Sequence, residues 1–193
     1  FNKVATINVN DDDIKSPLEN TPYLYQKWAT MKVLNLLLKK AQELGFQIKK
    51  QELTKRMQGK ITVKVLPNGK PSVVLHHPKL NTIIKFIPER SYINQGKDIR
   101  SVSFTQRPDI AIEIIKPNLP TSIFILDPKY KLMSEMDKES NEIDTKPKKI
   151  DIDKMHSYRD AIRSIDGELV VKFAGILYPG ESVKFGESIC AIQ

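Results

Sequence analysis

The chain has 193 residues, the size of one domain with a core that needs no staples, and its 40% hydrophobic content suits a globular fold in water. No apolar run approaches the ~20 residues of a bilayer span, residues 1–10 lack a secretory pattern, and the single Cys190 excludes an internal disulfide, which fits a reducing cytoplasm and no membrane. Net charge is +8, and because residues 134–153 set seven acids against four lysines, the rest of the chain carries +11; such a body suits a polyanion such as DNA, although lysine-rich surfaces serve solubility equally well.

In chain order, residues 1–20, with the run Asn10 to Asp13, read as a loose leading segment, and residues 21–193 as one domain. The chain opens on Phe1 rather than Met, which fits a processed or excised piece. Thr21-Pro22 predicts a helix start, and the helix is expected to run to Leu44 with Gly45 ending it. Leu24, Trp28, Met31, Leu34, Leu38 and Ala41 would form its wide apolar stripe, with Trp28 as a core anchor. Ile61 to Leu66 and Ser72 to His76 flank Pro67-Asn68-Gly69, a strong hairpin signal that would extend the sheet. Asn81 to Ile87 and Val102 to Thr105 are further strand candidates. His76 and His77 face opposite ways on a strand and cannot readily share a metal, so they read as a strand end.

Arg107-Pro108-Asp109-Ile110 then opens the most informative region. Ile110 to Ile115 is dense in β-branched residues, Lys116 to Pro120 supplies a turn, and Ser122 to Leu126 forms a second apolar run closed by Asp127-Pro128-Lys129. The pattern predicts a buried hairpin. Alternation puts Asp127, Lys129 and Lys131 on one face and Leu126, Pro128 and Tyr130 on the other. Magnesium takes hard oxygen ligands, typically one or two carboxylates plus water and substrate phosphate, and Asp109 with Asp127 could supply that pair. A lysine two residues along the same strand can orient or deprotonate a water. A lone Pro-Asp or Asp-x-Lys is usually structural; the two together, on consecutive apolar runs, point to phosphodiester hydrolysis.

Residues 134–149 are charged and poor in apolar side chains, and predict a flexible surface loop. A second helix is expected over about 150–164, burying Ile152, Met155, Ile162 and Ile165 with Lys154 and Tyr158 one turn apart. Leu169 to Leu177 reads as the last strand. The whole implies an α/β or α+β core, a central mixed β-sheet flanked by helices.

Pro108-Asp109 with Asp127-Pro128-Lys129 resembles the signature of the PD-(D/E)XK nuclease superfamily, whose restriction-endonuclease-like core has this element order. Arg107 to Ile110 and Leu126-Asp127-Pro128-Lys129-Tyr130-Lys131 resemble its McrC-like branch, the endonuclease components of modification-dependent restriction systems. Tyr23-Leu24-Tyr25-Gln26-Lys27-Trp28 is similar to that branch's first helix, and Lys154 to Ile162 to the helix after its catalytic strands. The resemblance implies a Mg2+-dependent DNA endonuclease, with Mn2+ able to substitute. Asp109, Asp127 and the Pro128 carbonyl would hold the metal and Lys129 would activate water. It also implies DNA and a McrB-like nucleotide-hydrolysing motor on another chain as partners. Lys154 and Tyr158 are accessory candidates by resemblance, Lys131 by its place in the row of Lys129, and Glu113 by sharing the strand face of Asp109. One departure stands out: the branch commonly carries a glutamate of the metal site where this chain has Gln26, and an amide adds no negative charge. Gln26 therefore also leaves open a catalytically impaired DNA-binding or assembly module.

Overall fold

The computed structural model describes residues 21–57, 60–63, 69–130 and 147–193. The leading segment 1–20, Lys131 and most of the expected 134–149 loop lie outside them.

Helix α1 (Thr21–Glu43) opens the described residues, with Thr21 already helical, and is followed by Gly45 at φ 84°. Phe46 N–H reaches back to the Ala41 carbonyl at 2.9 Å and Gly45 N–H to Gln42 at 3.0 Å, closing the last turn around a residue that L side chains avoid at this φ. After it come β1 (Gln47–Gln51), β2 (Thr54–Met57), β3 (Lys60–Val63), β4 (Val73–His77), β5 (Thr82–Pro88), β6 (Ile99–Ser101), β7 (Ile110–Ile115) and β8 (Ser122–Pro128). Then α2 (Lys149–Ala161), β9 (Ile162–Ser164), β10 (Val171–Leu177), β11 (Val183–Lys184) and β12 (Ile189–Ile192) complete the chain. One mixed sheet takes the order β1-β4-β5-β7-β8-β10-β12-β11. Its β1-to-β8 half is antiparallel, while β8, β10 and β12 run parallel. A parallel step needs a crossover, and α2 supplies it between β8 and β10.

The helices cover opposite faces. Leu34 and Ala41 of α1 pack with Val73, Leu75, Ile84, Phe86 and Ile110. Ile152, Met155 and Tyr158 of α2 pack with Ala111, Ile123, Ile125, Ala174 and Ile176. Period-two alternation thus assigns Ile123 and Ile125, and Asp127 after them, to the α2 face, and Leu126 to the α1 face. The fold is the mixed α+β, restriction-endonuclease-like arrangement that the sequence predicts.

Several local expectations are overturned. β3 does not pair with β4; it pairs with β2 in a separate two-stranded sheet, while β4 takes β1 and β5 as neighbours. Residues 64–68, which include the Pro67-Asn68 turn signal and the end of the expected strand Ile61 to Leu66, lie outside the described residues. Strand β6 ends at Ser101, so residues 102–105 are not a strand; Ser101 Oγ accepts Ser103 N–H at 3.3 Å and donates to the Phe104 carbonyl at 2.6 Å, bending the chain away. Helix α2 stops at Ala161 because residues 162–164 pair with β6 instead, which leaves Ile165 exposed. β10 is not the last strand: β11 and β12 follow it, and β12 extends the parallel part of the sheet. Trp28 is 58% exposed and no core anchor, because α1 packs through Thr30, Leu34 and Ala41 and leaves Leu24, Trp28 and Met31 outward. His76 and His77 behave as a strand end: His76 Nε2 lies 3.2 Å from Asn81 Oδ1, and His77 Nδ1 accepts Leu80 N–H at 3.1 Å.

Candidate active site

The site forms where β7 begins, β8 ends and α2 crosses above them. Pro128 cannot donate to the ladder, yet pairing with β10 resumes one residue later, where Lys129 N–H meets the Leu177 carbonyl at 2.7 Å. That bond fixes the backbone from which the lysine projects. At the start of β7, the Asp109 carbonyl accepts Glu89 N–H at 2.9 Å, and Arg107 pairs with Glu89 across the same turn. Tyr158 of α2 donates its hydroxyl to the Arg107 carbonyl at 3.1 Å, tying the Arg107-Pro108-Asp109 turn to the crossover helix.

Asp127 is the centre of the cluster. Its carboxylate is fully buried. Oδ1 accepts Asp109 N–H at 3.2 Å. Oδ2 lies 2.6 Å from Lys129 Nζ and 3.1 Å from Lys154 Nζ. Lys129 Nζ is also 3.9 Å from Asp109 Oδ2, and Lys154 Nζ stands 5.3 Å from the Tyr158 ring centroid. Two carboxyls and two ammonium groups thus occupy one corner of the sheet.

Burial and proximity split the two acids. Burial alone would push Asp127 up, but the Lys129 and Lys154 ammoniums, and a hydrogen bond with Asp109, outweigh it and hold Asp127 below the usual carboxylate value. Asp109 is pushed up to about 7, first by burial and then by the negative Asp127 beside it. At neutral pH the pair therefore carries between one and two charges, one resident on Asp127 and one poised on Asp109. Tyr158 is raised by burial and by both aspartates, so its hydroxyl stays a donor.

Two carboxylates in hydrogen-bonding contact suit a hard divalent cation that would leave the rest of its shell to water and substrate. No cluster of three or more His, Cys, Asp or Glu occurs among the described residues. An open cleft of about 510 Å³ exposes Lys129 and Lys154, with Gln106 on one side and Asp153 and Ser157 of α2 on the other.

The remaining sequence candidates fall elsewhere. Glu113, 4% exposed, shares the Asp109 face, but its Oε1 is taken by Tyr92 OH at 3.2 Å and Arg90 Nε at 3.3 Å. Gln26 lies on α1, half-buried, with its carbonyl accepting from Thr30 Oγ1 at 2.7 Å. No polar contact joins its amide to the aspartates among the described residues. Arg90, Tyr92 and Gln106 had no sequence signal: they sit in irregular chain, held by the reciprocal Tyr92–Gln106 backbone bonds at 2.8 and 3.0 Å.

No curated protein and no solved structure matches the chain. The family described as the PD-(D/E)XK nuclease superfamily matches over residues 23–183, from the first turn of α1 to the start of β11. With Pro108-Asp109 opening β7 and Asp127-Pro128-Lys129 closing β8 inside that match, the chain belongs to the PD-(D/E)XK nuclease superfamily.

Proposed function

We propose that the chain is a Mg2+-dependent DNA endonuclease that hydrolyses phosphodiester bonds, with Asp109, Asp127, Lys129 and Lys154 as its working residues. The observation that carries the reading is the convergence of Lys129 and Lys154 on one oxygen of a fully buried aspartate, with Asp109 beside it. Asp109, Asp127 and the Pro128 carbonyl would hold the metal, and Mn2+ could substitute. A divalent cation bound there supplies Lewis-acid polarisation of a phosphoryl oxygen and lowers the pKa of a water. Asp109, raised to about 7, would have to be ionised to serve as a ligand. Lys129 orients or deprotonates the attacking water, being within 4 Å of both carboxylates. Lys154, 41% exposed at the cleft, offers its ammonium to the charge that develops on the phosphate.

The McrC-like resemblance of Arg107 to Ile110, Leu126 to Lys131 and the Tyr23 to Trp28 segment supports a place in a cytoplasmic, modification-dependent restriction system. DNA is then the substrate, and a McrB-like nucleotide-hydrolysing subunit is the partner. Lys131, outside the described residues, remains an accessory candidate by its sequence position two residues after Lys129. Gln26 favours one second reading, a nuclease-like DNA-binding or assembly module with impaired catalysis, since the amide brings no charge to the metal.

Cleavage of supercoiled plasmid in Mg2+ or Mn2+ separates the two. Nicking that disappears in both Asp127→Ala and Lys129→Ala establishes the nuclease. Cutting by Gln26→Glu alone establishes a site disabled at α1. Metal-dependent DNA binding without cutting by any variant, in the presence of the partner, would sink the enzyme reading.

A further inference from the structure

The outward side of α1 carries aromatic surface that the fold does not use. Trp28 is 58% exposed, Leu24 57% and Tyr23 56%. Tyr25 lies between Trp28 and Tyr130, its ring centroid 5.7 Å from the indole at a 33° tilt and 5.5 Å from the Tyr130 ring at 47°. Lys27 Nζ sits 4.9 Å from the centroid of the Tyr23 ring. Single exposed apolar residues are ordinary. Three rings in succession are different, because this series ends on the residue directly after Lys129.

Position along β8 explains why that matters. Lys129 belongs to the α2 face with Asp127, and Tyr130, one residue on, belongs to the α1 face. The aromatic series and the ammonium pair therefore flank the same strand end from its two sides. Because Tyr130 directly follows Lys129, the ring series begins where the ammonium pair ends, and a strand bound at Lys129 would have to turn round the end of β8 to lay its bases on Tyr130, Tyr25 and Trp28. In a duplex the base faces are hidden in the stack, and an unpaired strand exposes them. Stacking on aromatic rings tolerates any base, and a nearby lysine adds attraction for the backbone. The chain's net charge of +8 is complementary to such a strand.

We propose that Trp28, Tyr25 and Tyr130 form a stacking platform for the bases of an unpaired DNA strand, so that the substrate class of this site is single-stranded or locally opened DNA. The proposal rests on the nuclease reading above and goes further by naming the strand state of the substrate.

Trp28 is the chain's sole tryptophan, so its emission reports this surface alone. The full chain is titrated in EDTA with a short oligothymidylate, an abasic strand of equal length and a paired duplex. Emission is read directly, and binding is read in parallel by anisotropy of labelled strands. Saturable quenching by oligothymidylate, with little response to the abasic strand or the duplex, is the expected result. Trp28→Leu should weaken oligothymidylate binding roughly tenfold, toward the lower end of the range for losing one stacked base. Trp28→Phe should retain most of it. Thermal melts verify that both variants fold. If anisotropy reports binding while emission ignores all three strands and Trp28→Leu binds as the parent does, the platform is overturned; the nuclease reading stands and the aromatic face passes to a protein partner. If no strand binds and none is cut with Mg2+, both readings fall together.

Discussion

Asp109 and Asp127 lie close enough that one proton decides what either can do. The raised Asp109 value means that the metal-free fold prefers this carboxyl neutral, whereas a divalent cation needs it charged. Because the folded value, about 7, exceeds the ordinary 3.8, this group's contribution to stability is complete below pH 3.8 and is lost as pH rises through about 7. Asp127 has the opposite sign but is held below 3.8, so it is already ionised over this window. The metal-free protein should therefore lose melting temperature between about pH 4 and pH 7, and Asp109→Asn should flatten that slope; an identical slope in the variant would refute the assignment. Mg2+ affinity should move the other way, rising with pH through about 7. Calorimetry in two buffers of different ionisation enthalpy should find roughly one proton released per cation at pH 6 and little at pH 8. Glu113 tests the contrast between a working and a supporting carboxylate. Its oxygen holds Arg90 and the buried Tyr92, whose own hydroxyl is driven well above its ordinary value by burial and then by Glu113. Glu113→Ala strands Arg90, which is partly solvated, and should cost about 2 kcal/mol, below the range for a fully buried pair. That corresponds to a fall of about 4–8 °C in melting temperature, while single-turnover cleavage below the melt stays near the parent rate. A lost rate without lost stability would instead place Glu113 in the metal's outer shell.

At the scale of elements, the β7–β8 hairpin was readable because everything that defines it is local: dense β-branched runs, the Lys116 to Pro120 turn with Asn118 at φ 59°, and period-two alternation that puts Asp127 and Lys129 on one face. The clustering of Asp109, Asp127 and Lys129 could be read for the same reason, since all three hang on the ends of those strands. β1 was illegible: Gln47-Ile48-Lys49-Lys50-Gln51 has one apolar residue and is exposed throughout, so it becomes a strand only because β4 offers a free ladder edge. The Pro67-Asn68-Gly69 signal misled because pairing with β1 and β5, both distant in sequence, outweighed a local turn preference. Trp28 misled because α1 buries a narrower strip than its apolar content suggested. What the α2 face does for the site can be measured. Ile125, fully buried between β8 and α2, precedes Asp127 by one alternation. Ile125→Ala should cost about 3 kcal/mol, and because the cavity opens under the strand that carries Asp127, it should slow cleavage as well as lower stability. Leu36→Ala, on the exposed side of α1, should stay within about 0.5 kcal/mol of the parent. Equal losses in the two variants would contradict the two-face packing.

For the whole molecule, strand register decides which basic residues share an end with the site. Gln51 pairs with Val73, Val73 with Phe86, Phe86 with Ile112 and Ile112 with Phe124. The C-terminal end of β1 therefore lies at the same sheet end as the start of β7 and the end of β8, and the β2–β3 hairpin departs from there. Four strand spacings separate β1 from β8, about 19 Å, a length over which duplex DNA presents on the order of ten phosphates. Lys49 and Lys50 stand exposed on this outer strand. Edge lysines also keep a free ladder from pairing with another copy, so mere loss of solubility would not distinguish the roles; the salt dependence of binding does. Affinity for DNA, read by anisotropy across a salt series, should fall linearly in log–log form with a slope of about −0.9 per phosphate neutralised. Replacing Lys49 and Lys50 together by alanine should make that slope shallower by about 2 if both touch phosphate, and leave the Mg2+-dependent cleavage rate at saturating DNA unchanged. An unaltered slope would confine the DNA track to the Lys129–Lys154 corner and leave β1 with only its edge-protecting role.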